Sequence, residues 1–190
     1  MLRSALFVSL LAFSATAAAQ GFGYSYIQGS YGSVEVDTGG GNVDGDGFGI
    51  SGSFEFTKEF FFAGEYQTAD MDFGVDLNIL ELAVGYHTGI SEQLDFTAQV
   101  GFVNTELDAG IGGSVDDDGL MLGVGLRGAL SDAIELNGGI DYVDFDLGGG
   151  ETRITAGFRY ALTEELTVGA EAGLWDDIDV YQLNLRFDFE

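Results

Sequence analysis

The sequence predicts an all-β fold: a closed, antiparallel, up-and-down transmembrane β-barrel of ten strands. Three observations predict it. Beyond residue 20, apolar and polar residues alternate with period two almost throughout, which marks strands with two unlike faces. Such segments number ten, an even count, and their connections alternate between tight and long. The less apolar face is mostly Gly, Ser, Thr and Ala with Arg and Glu among them, which suits the crowded inside of a narrow barrel. Eight strands is the fallback if the first and last segments are miscounted.

Residues 1–19 read as a cleaved secretory signal. Arg3 supplies the positive start, Leu6 to Phe13 the apolar core, and Ala17-Ala18-Ala19 the small-residue cleavage site before Gln20. The apolar run is about half the ~20 residues that a spanning helix needs. Residues 20–190 then form a single barrel domain.

A first, less regular strand runs from about Tyr24 to Asp37, with Ile27, Gly29 and Tyr31 on its apolar face. The second carries Phe48, Ile50, Phe54 and Phe56; the third, Phe60, Phe62 and Tyr66; the fourth, Leu80, Leu82, Val84 and Tyr86. The fifth carries Leu94, Phe96, Val100 and Phe102; the sixth, Leu120, Leu122, Val124 and Leu126; the seventh, Ile134, Leu136, Ile140 and Tyr142. The eighth carries Ile154, Phe158 and Tyr160; the ninth, Leu166, Val168 and Leu174; the tenth, Tyr181, Leu183, Leu185, Phe187 and Phe189. Tight turns fall near Lys58, Ser91, Ser131-Asp132 and Thr163-Glu164. Longer Gly/Asp-rich loops span roughly 38–45, 73–75, 109–117, 147–150 and 176–179. Short turns on one side and long loops on the other are the layout of an outer-membrane barrel, with both chain ends on the periplasmic side.

Two soluble folds also alternate. A β-sandwich would turn its polar face to water, and a lipocalin-like barrel would hold its apolar face inside. Phe and Tyr near both ends of the apolar face instead resemble interfacial girdles. Lipid offers no partner to a free amide, so such strands close into a ring without an edge.

The formal charge is −26, from 6 Lys+Arg against 32 Asp+Glu, and the sequence pI is about 4.1. No basic surface exists to neutralise phosphates, so nucleic acid is excluded as a partner. The absence of Cys removes disulfides and thiolate metal sites.

Four of the five basic residues after residue 19 fall on the inward face: Arg127, Arg153, Arg159 and Arg186. They share it with Glu55, Glu65, Glu81, Asp95, Glu135, Asp141, Glu171 and Asp188. Hairpin register places Arg127 near Glu135 and Asp141 near Arg153. One reading is a lumen cross-linked by ion pairs; the other is a charged constriction in a narrow passive channel. The plug is the preferred reading, because an open aqueous channel takes a wider barrel.

The outward faces end at the long-loop side in acids: Glu35, Asp37, Asp46, Asp70, Asp72, Asp76, Glu106, Asp108, Asp118, Asp144, Asp146, Asp176 and Asp179. This makes an acidic collar above the aromatic girdle. One reading is a solvated rim that sets depth in the membrane. The sharper one is divalent-cation binding, since carboxylates suit hard cations and lipopolysaccharide phosphates could share the ions. Candidate ligands are Asp44, Asp46, Asp72, Asp108, Asp116, Asp117, Asp118, Asp146 and Asp176. No organic cofactor is expected; the inorganic candidate is Ca2+ or Mg2+ at this rim.

An enzyme on the outer rim is the rival class. The single His, His87, falls on an inward face near a tight turn, the wrong end for that chemistry. Nucleophilic triads therefore lack their parts. The Gly runs at 39–41 and 148–150 stand in no strand-to-helix context, so they are no phosphate loops.

The chain resembles the small Gram-negative outer-membrane barrels, a broad group that includes the opacity-type and OmpA-like ones; its Tyr24-Ser25-Tyr26-Ile27-Gln28-Gly29 opening and its strand from Ile79 to His87 more closely resemble a group of small secreted or outer-membrane barrels. The resemblance covers the whole chain after the signal and rests on structural motifs. It implies a porin-like or surface barrel in the outer membrane, among lipid and lipopolysaccharide. It also implies delivery by periplasmic chaperones to the barrel assembly machinery. Such barrels usually end on an aromatic residue; here Phe187 and Phe189 hold the alternating positions and Glu190 is last. The expected function is a non-enzymatic structural or surface barrel with an acidic rim, and the alternative is a narrow porin-like channel.

Overall fold

The computed structural model describes residues 22–37, 39 and 41–189. The signal segment, Gln20 and Glu190 lie outside the described residues. Ten strands follow in order: β1 Tyr26–Asp37, β2 Asn42–Glu55, β3 Phe60–Met71, β4 Val75–Ser91, β5 Leu94–Asp108, β6 Ser114–Ser131, β7 Ile134–Phe145, β8 Gly149–Ala161, β9 Leu166–Leu174 and β10 Ile178–Asp188. Each pairs antiparallel with the next, and β1 pairs with β10 from Tyr26↔Asp188 to Val36↔Ile178. The ring is closed, so no strand edge meets lipid over the paired span.

The expected contrast between long loops and tight turns is nearly absent: the connections on the long-loop side run to three to five residues and those at the other end to two to four, because pairing extends into the Gly/Asp-rich segments. β2 begins at Asn42 and β6 at Ser114, so the residues assigned to loops over 42–45 and 114–117 are strand. Pairing continues outward through Asp37↔Asn42 and Asp108↔Ser114. Two of the loops tighten into single 3-10 turns, Asp72–Gly74 and Gly110–Gly112. Phe73 there takes a left-handed φ of 66°, a conformation unfavourable for a bulky side chain.

The four turns at the other end share one device. Each opens on a Ser or Thr whose hydroxyl accepts the N–H groups that close the turn. Thr57 Oγ1 accepts from Phe60 N at 3.1 Å, Ser131 Oγ from Ile134 N at 3.2 Å, and Thr163 Oγ1 from Leu166 N at 3.0 Å. Ser91 Oγ accepts from Gln93 N at 3.3 Å. The segments Thr57-Lys-Glu-Phe, Ser91-Glu-Gln-Leu, Ser131-Asp-Ala-Ile and Thr163-Glu-Glu-Leu are therefore one repeated turn, in which the hydroxyl stands in for a backbone acceptor.

The sidedness is inverted relative to a soluble protein. Phe48, Leu122 and Leu183 stand 65%, 63% and 68% exposed on the outer wall. The side chains buried most deeply, Arg186, Met121, Val103 and Val143, all face the lumen.

Candidate functional site

Two surfaces carry the unusual chemistry: the lumen and the outer rim. The lumen has three layers. In the layer next to the short turns, Arg127 makes a two-point ion pair with Glu135, Nε to Oε1 at 2.7 Å and Nη2 to Oε2 at 2.8 Å. Arg159 Nη1 donates to the same Oε1 at 2.8 Å. Arg186 Nε donates to Asp188 Oδ1 at 2.8 Å, and its guanidinium lies 3.7 Å over the Tyr26 ring. The segment before β1 folds into this mouth. The Gly23 carbonyl accepts from Arg127 Nη1 at 2.7 Å and from Arg186 Nη2 at 3.1 Å. Tyr24 stacks on His87 with ring centroids 3.9 Å apart, and His87 lies between Glu55 and Asp95 at 3.5 and 3.8 Å.

The middle layer is built around Arg153. Its Nε donates to Asp141 Oδ2 at 3.1 Å, its Nη2 to Glu81 Oε2 at 3.0 Å, and its Nη1 to Glu81 Oε1. Asp141 also accepts from Gln99 at 3.0 Å. Glu171 accepts from Asn137 and Gln182, both at 3.1 Å, and Glu65 from Gln67 at 2.6 Å. A cavity of about 210 Å³ lies beside these groups, and a second of about 220 Å³ lies nearer the short turns.

The third layer, toward the long loops, is apolar. Val34, Ala69, Met71, Leu77, Ile79, Val103, Met121, Val143 and Phe145 are buried there against one another. They come from β1 and from β3 through β7, and Ile178, Val180 and Trp175 close the remaining side. Arg153 sits under this layer, 5.2 Å from the Trp175 ring centre.

The outer rim follows a different rule. Asp46 faces Asp70 across the β2–β3 ladder, Asp70 faces Asp76, and Asp76 faces Asp108. Glu35 faces both Asp44 and Asp179, and Glu106 faces Asp116. These are direct cross-strand neighbours of like charge on the outward face, a destabilising arrangement unless counterions screen it.

The protein-family model described as "Outer membrane protein beta-barrel domain" matches residues 5–189. The chain belongs to that family. It is an outer-membrane barrel, and the side that carries its longest connection, 109–113, faces outward. No curated protein matches it. Solved structures of similar fold include the KdgM porin, at 8% identity over 86% of this chain and 99% of that one, with a TM-score of 0.50. The N-terminal barrel of Pseudomonas aeruginosa OprF is 15% identical over 90% of this chain and 100% of that one, with a TM-score of 0.44. Neisserial surface protein A is 14% identical over 86% of this chain and 96% of that one, with a TM-score of 0.43. At such identities the likeness concerns fold alone.

In this outer-membrane barrel, the inward residues singled out from sequence fall in two groups. Glu65, Glu81, Asp141, Arg153 and Glu171 share the middle layer, and Arg127, Glu135, Arg159 and Arg186 share the periplasmic one. The nine rim candidates do not assemble. Among the described residues, no three His, Asp or Glu side chains converge on one metal-sized point. Asp117 departs most from the outward collar, since its carboxylate accepts the Leu147 and Gly148 N–H groups at 3.0 and 2.8 Å. Asp108 Oδ1 accepts Gly110 N at 2.8 Å. Asp44, Asp46, Asp72, Asp116, Asp118, Asp146 and Asp176 are exposed around the ring. The apolar layer of the lumen is the feature that sequence reasoning missed. Its signal was present: at the outer ends of several strands, such as Ala69-Asp70-Met71 and Val143-Asp144-Phe145, the apolar side of the alternation moves to the inward face.

Proposed function

We propose that this protein is a non-enzymatic structural barrel of the outer membrane, with a lumen closed to solute flow and an acidic rim presented to the headgroup layer. The observation that carries this reading is the apolar layer across the outer lumen. A dry plug of packed Val, Leu, Ile, Met and Phe side chains opposes the entry of ions. Beneath it, the Glu81–Arg153–Asp141 bridge spans the same lumen. The enzymatic reading is weakened by His87, which is buried at the periplasmic end far from the loops. The alternation Leu183, Leu185, Phe187, Phe189 on β10 supplies the outward apolar face that the assembly machinery and periplasmic chaperones would handle.

The rim would work with divalent cations. At the depth of lipopolysaccharide phosphates its cross-strand carboxylates would share Ca2+ or Mg2+ with them, which would relieve the repulsion within the row and between row and phosphate.

A narrow passive channel has one observation in its favour. The two lumen cavities share Tyr26, Ala63, Gln99, Asp141 and Thr155 in their walls, so a polar path runs up to the apolar layer. Single-channel conductance of the refolded barrel in a planar bilayer separates the readings. A folded, silent barrel supports the closed one. Stable steps that change in Arg153→Ala overturn it in favour of a charged constriction.

A further inference from the structure

We propose that the periplasmic half of the lumen is a binding site for a small oxyanion, held chiefly by Arg159 with Arg186. Three guanidiniums, those of Arg127, Arg159 and Arg186, enter this layer, and the carboxylates that pair with them are two, Glu135 and Asp188. Asp95, the cross-strand neighbour of Arg127, is turned instead toward Tyr24 Oη and His87. Asp141 is taken by Arg153 and Gln99. Glu55, the remaining carboxylate of this layer, lies against His87 and the Tyr24 N–H, so the layer holds no excess of positive charge; what it lacks is acceptors within reach of every guanidinium.

The distribution of hydrogen bonds places the deficit. Arg127 is satisfied by Glu135 and by the Gly23 carbonyl, with the Phe22 and Tyr24 rings beside it. Arg186 has Asp188, the same carbonyl and the Tyr26 ring. Arg159 has a single hydrogen bond among the described residues, from Nη1 to a Glu135 oxygen already held by Arg127, and its buried Nε has no partner. A guanidinium offers five donors in a planar fork, so most of its capacity is unused here.

There is room for the missing acceptor. The 220 Å³ cavity in this layer is walled by Arg159 and Arg186, with Thr97, Thr155, Asn137 and Gln99 beside them. That volume holds a carboxylate, phosphate or sulfate together with several waters. The ligand class follows from the fork: two oxygens on one centre match a guanidinium edge, and a halide does not. The site lies below the apolar layer, so occupancy does not require conduction, and the proposal stands whether or not the barrel conducts.

The test uses residues 20–190 refolded in neutral detergent, titrated with sodium sulfate at constant ionic strength, with chloride as the balancing anion. Sulfate is expected to raise the unfolding temperature saturably, and Arg159→Gln to weaken its apparent affinity by about tenfold, the loss of one charge-assisted hydrogen bond. The same titration of the unmodified barrel, followed through the arginine side-chain Nε–Hε resonances, is expected to move those of Arg159 and Arg186 and leave that of Arg153 in place. Equal responses of the barrel and Arg159→Gln overturn the proposal. If the variant does not fold, unmoved Arg159 and Arg186 resonances in the unmodified barrel overturn it alone.

Discussion

Arg153 on β8 reaches across the lumen to Glu81 on β4, and the two side chains meet fork to fork, with Nη2 donating to Oε2 at 3.0 Å. The strands are not neighbours in the ring, so this contact ties opposite walls together. Asp141 on β7 holds the same guanidinium from the side at 3.1 Å. A planar five-donor group between two carboxylates suits that geometry, and lysine would not reproduce it.

Replacing Arg153 with Met removes the cation and keeps most of the volume. Glu81 and Asp141 are then left without their counterion in a confined space, at a cost of about 3–5 kcal/mol. Glu81→Gln in the same chain should recover part of that loss. Urea unfolding in lipid vesicles reads both, with the fluorescence of Trp175, the single Trp and a neighbour of Arg153, as the probe. An unchanged unfolding midpoint in Arg153→Met would show that the bridge contributes nothing.

Gly85 is covered by a ring. Phe61 is its cross-strand partner, and a Cβ at position 85 would run into Phe61 Cζ. Phe61 in turn stacks on Tyr24, with centroids 5.0 Å apart, and Tyr24 on His87. Gly85→Ala should therefore cost about 1–3 kcal/mol by overpacking. Adding Phe61→Leu should cost less than the sum of the two single changes, because both act on the same contact. Strict additivity in denaturant unfolding would refute the coupling.

The fold was legible because period-two alternation and strand count are local properties of the chain. The inward placement of Arg127, Arg153, Arg159 and Arg186 follows from parity alone. What parity hides is depth. It assigns Val34 and Gln28 to the same face of β1, yet one lies in the apolar layer and the other low in the barrel. Parity also cannot say which carboxylate a guanidinium selects across the lumen, because Glu81 and Arg153 lie 72 residues apart on strands that do not pair. Asp116, Asp117 and Asp118 show a different limit at the rim: read as the end of a loop, Asp116 and Asp117 lie on β6, where alternation turns Asp117 to the Leu147–Gly148 backbone and its neighbours outward.

The apolar layer and the Arg153 bridge are barriers in series. Met121 is 2% exposed, and Met121→Ala should cost about 2–4 kcal/mol through the cavity it leaves. It should not by itself conduct, because the bridge still spans the lumen below. The combination with Arg153→Ala removes both barriers, and single-channel recording should then show steps absent from either single variant. Conduction by Met121→Ala alone would mean that the apolar layer is the only seal.

Asp46, Asp70, Asp76 and Asp108 form an unbroken cross-strand row of like charges. Replacing all four with Asn should leave the barrel folded and, at low ionic strength, stabilise it by about 0.2–1 kcal/mol for each relieved pair. High salt screens exposed charges over a few ångströms, so the difference should vanish near 1 M monovalent salt. Calcium should do the same at far lower concentration if the row binds it, raising the stability of the unmodified barrel while leaving the Asn variant unmoved. Calcium titrations with magnesium and sodium controls, read by urea unfolding, distinguish binding from screening. Identical calcium responses in the two proteins would leave the row as a solvated edge and remove the cation from the proposed function.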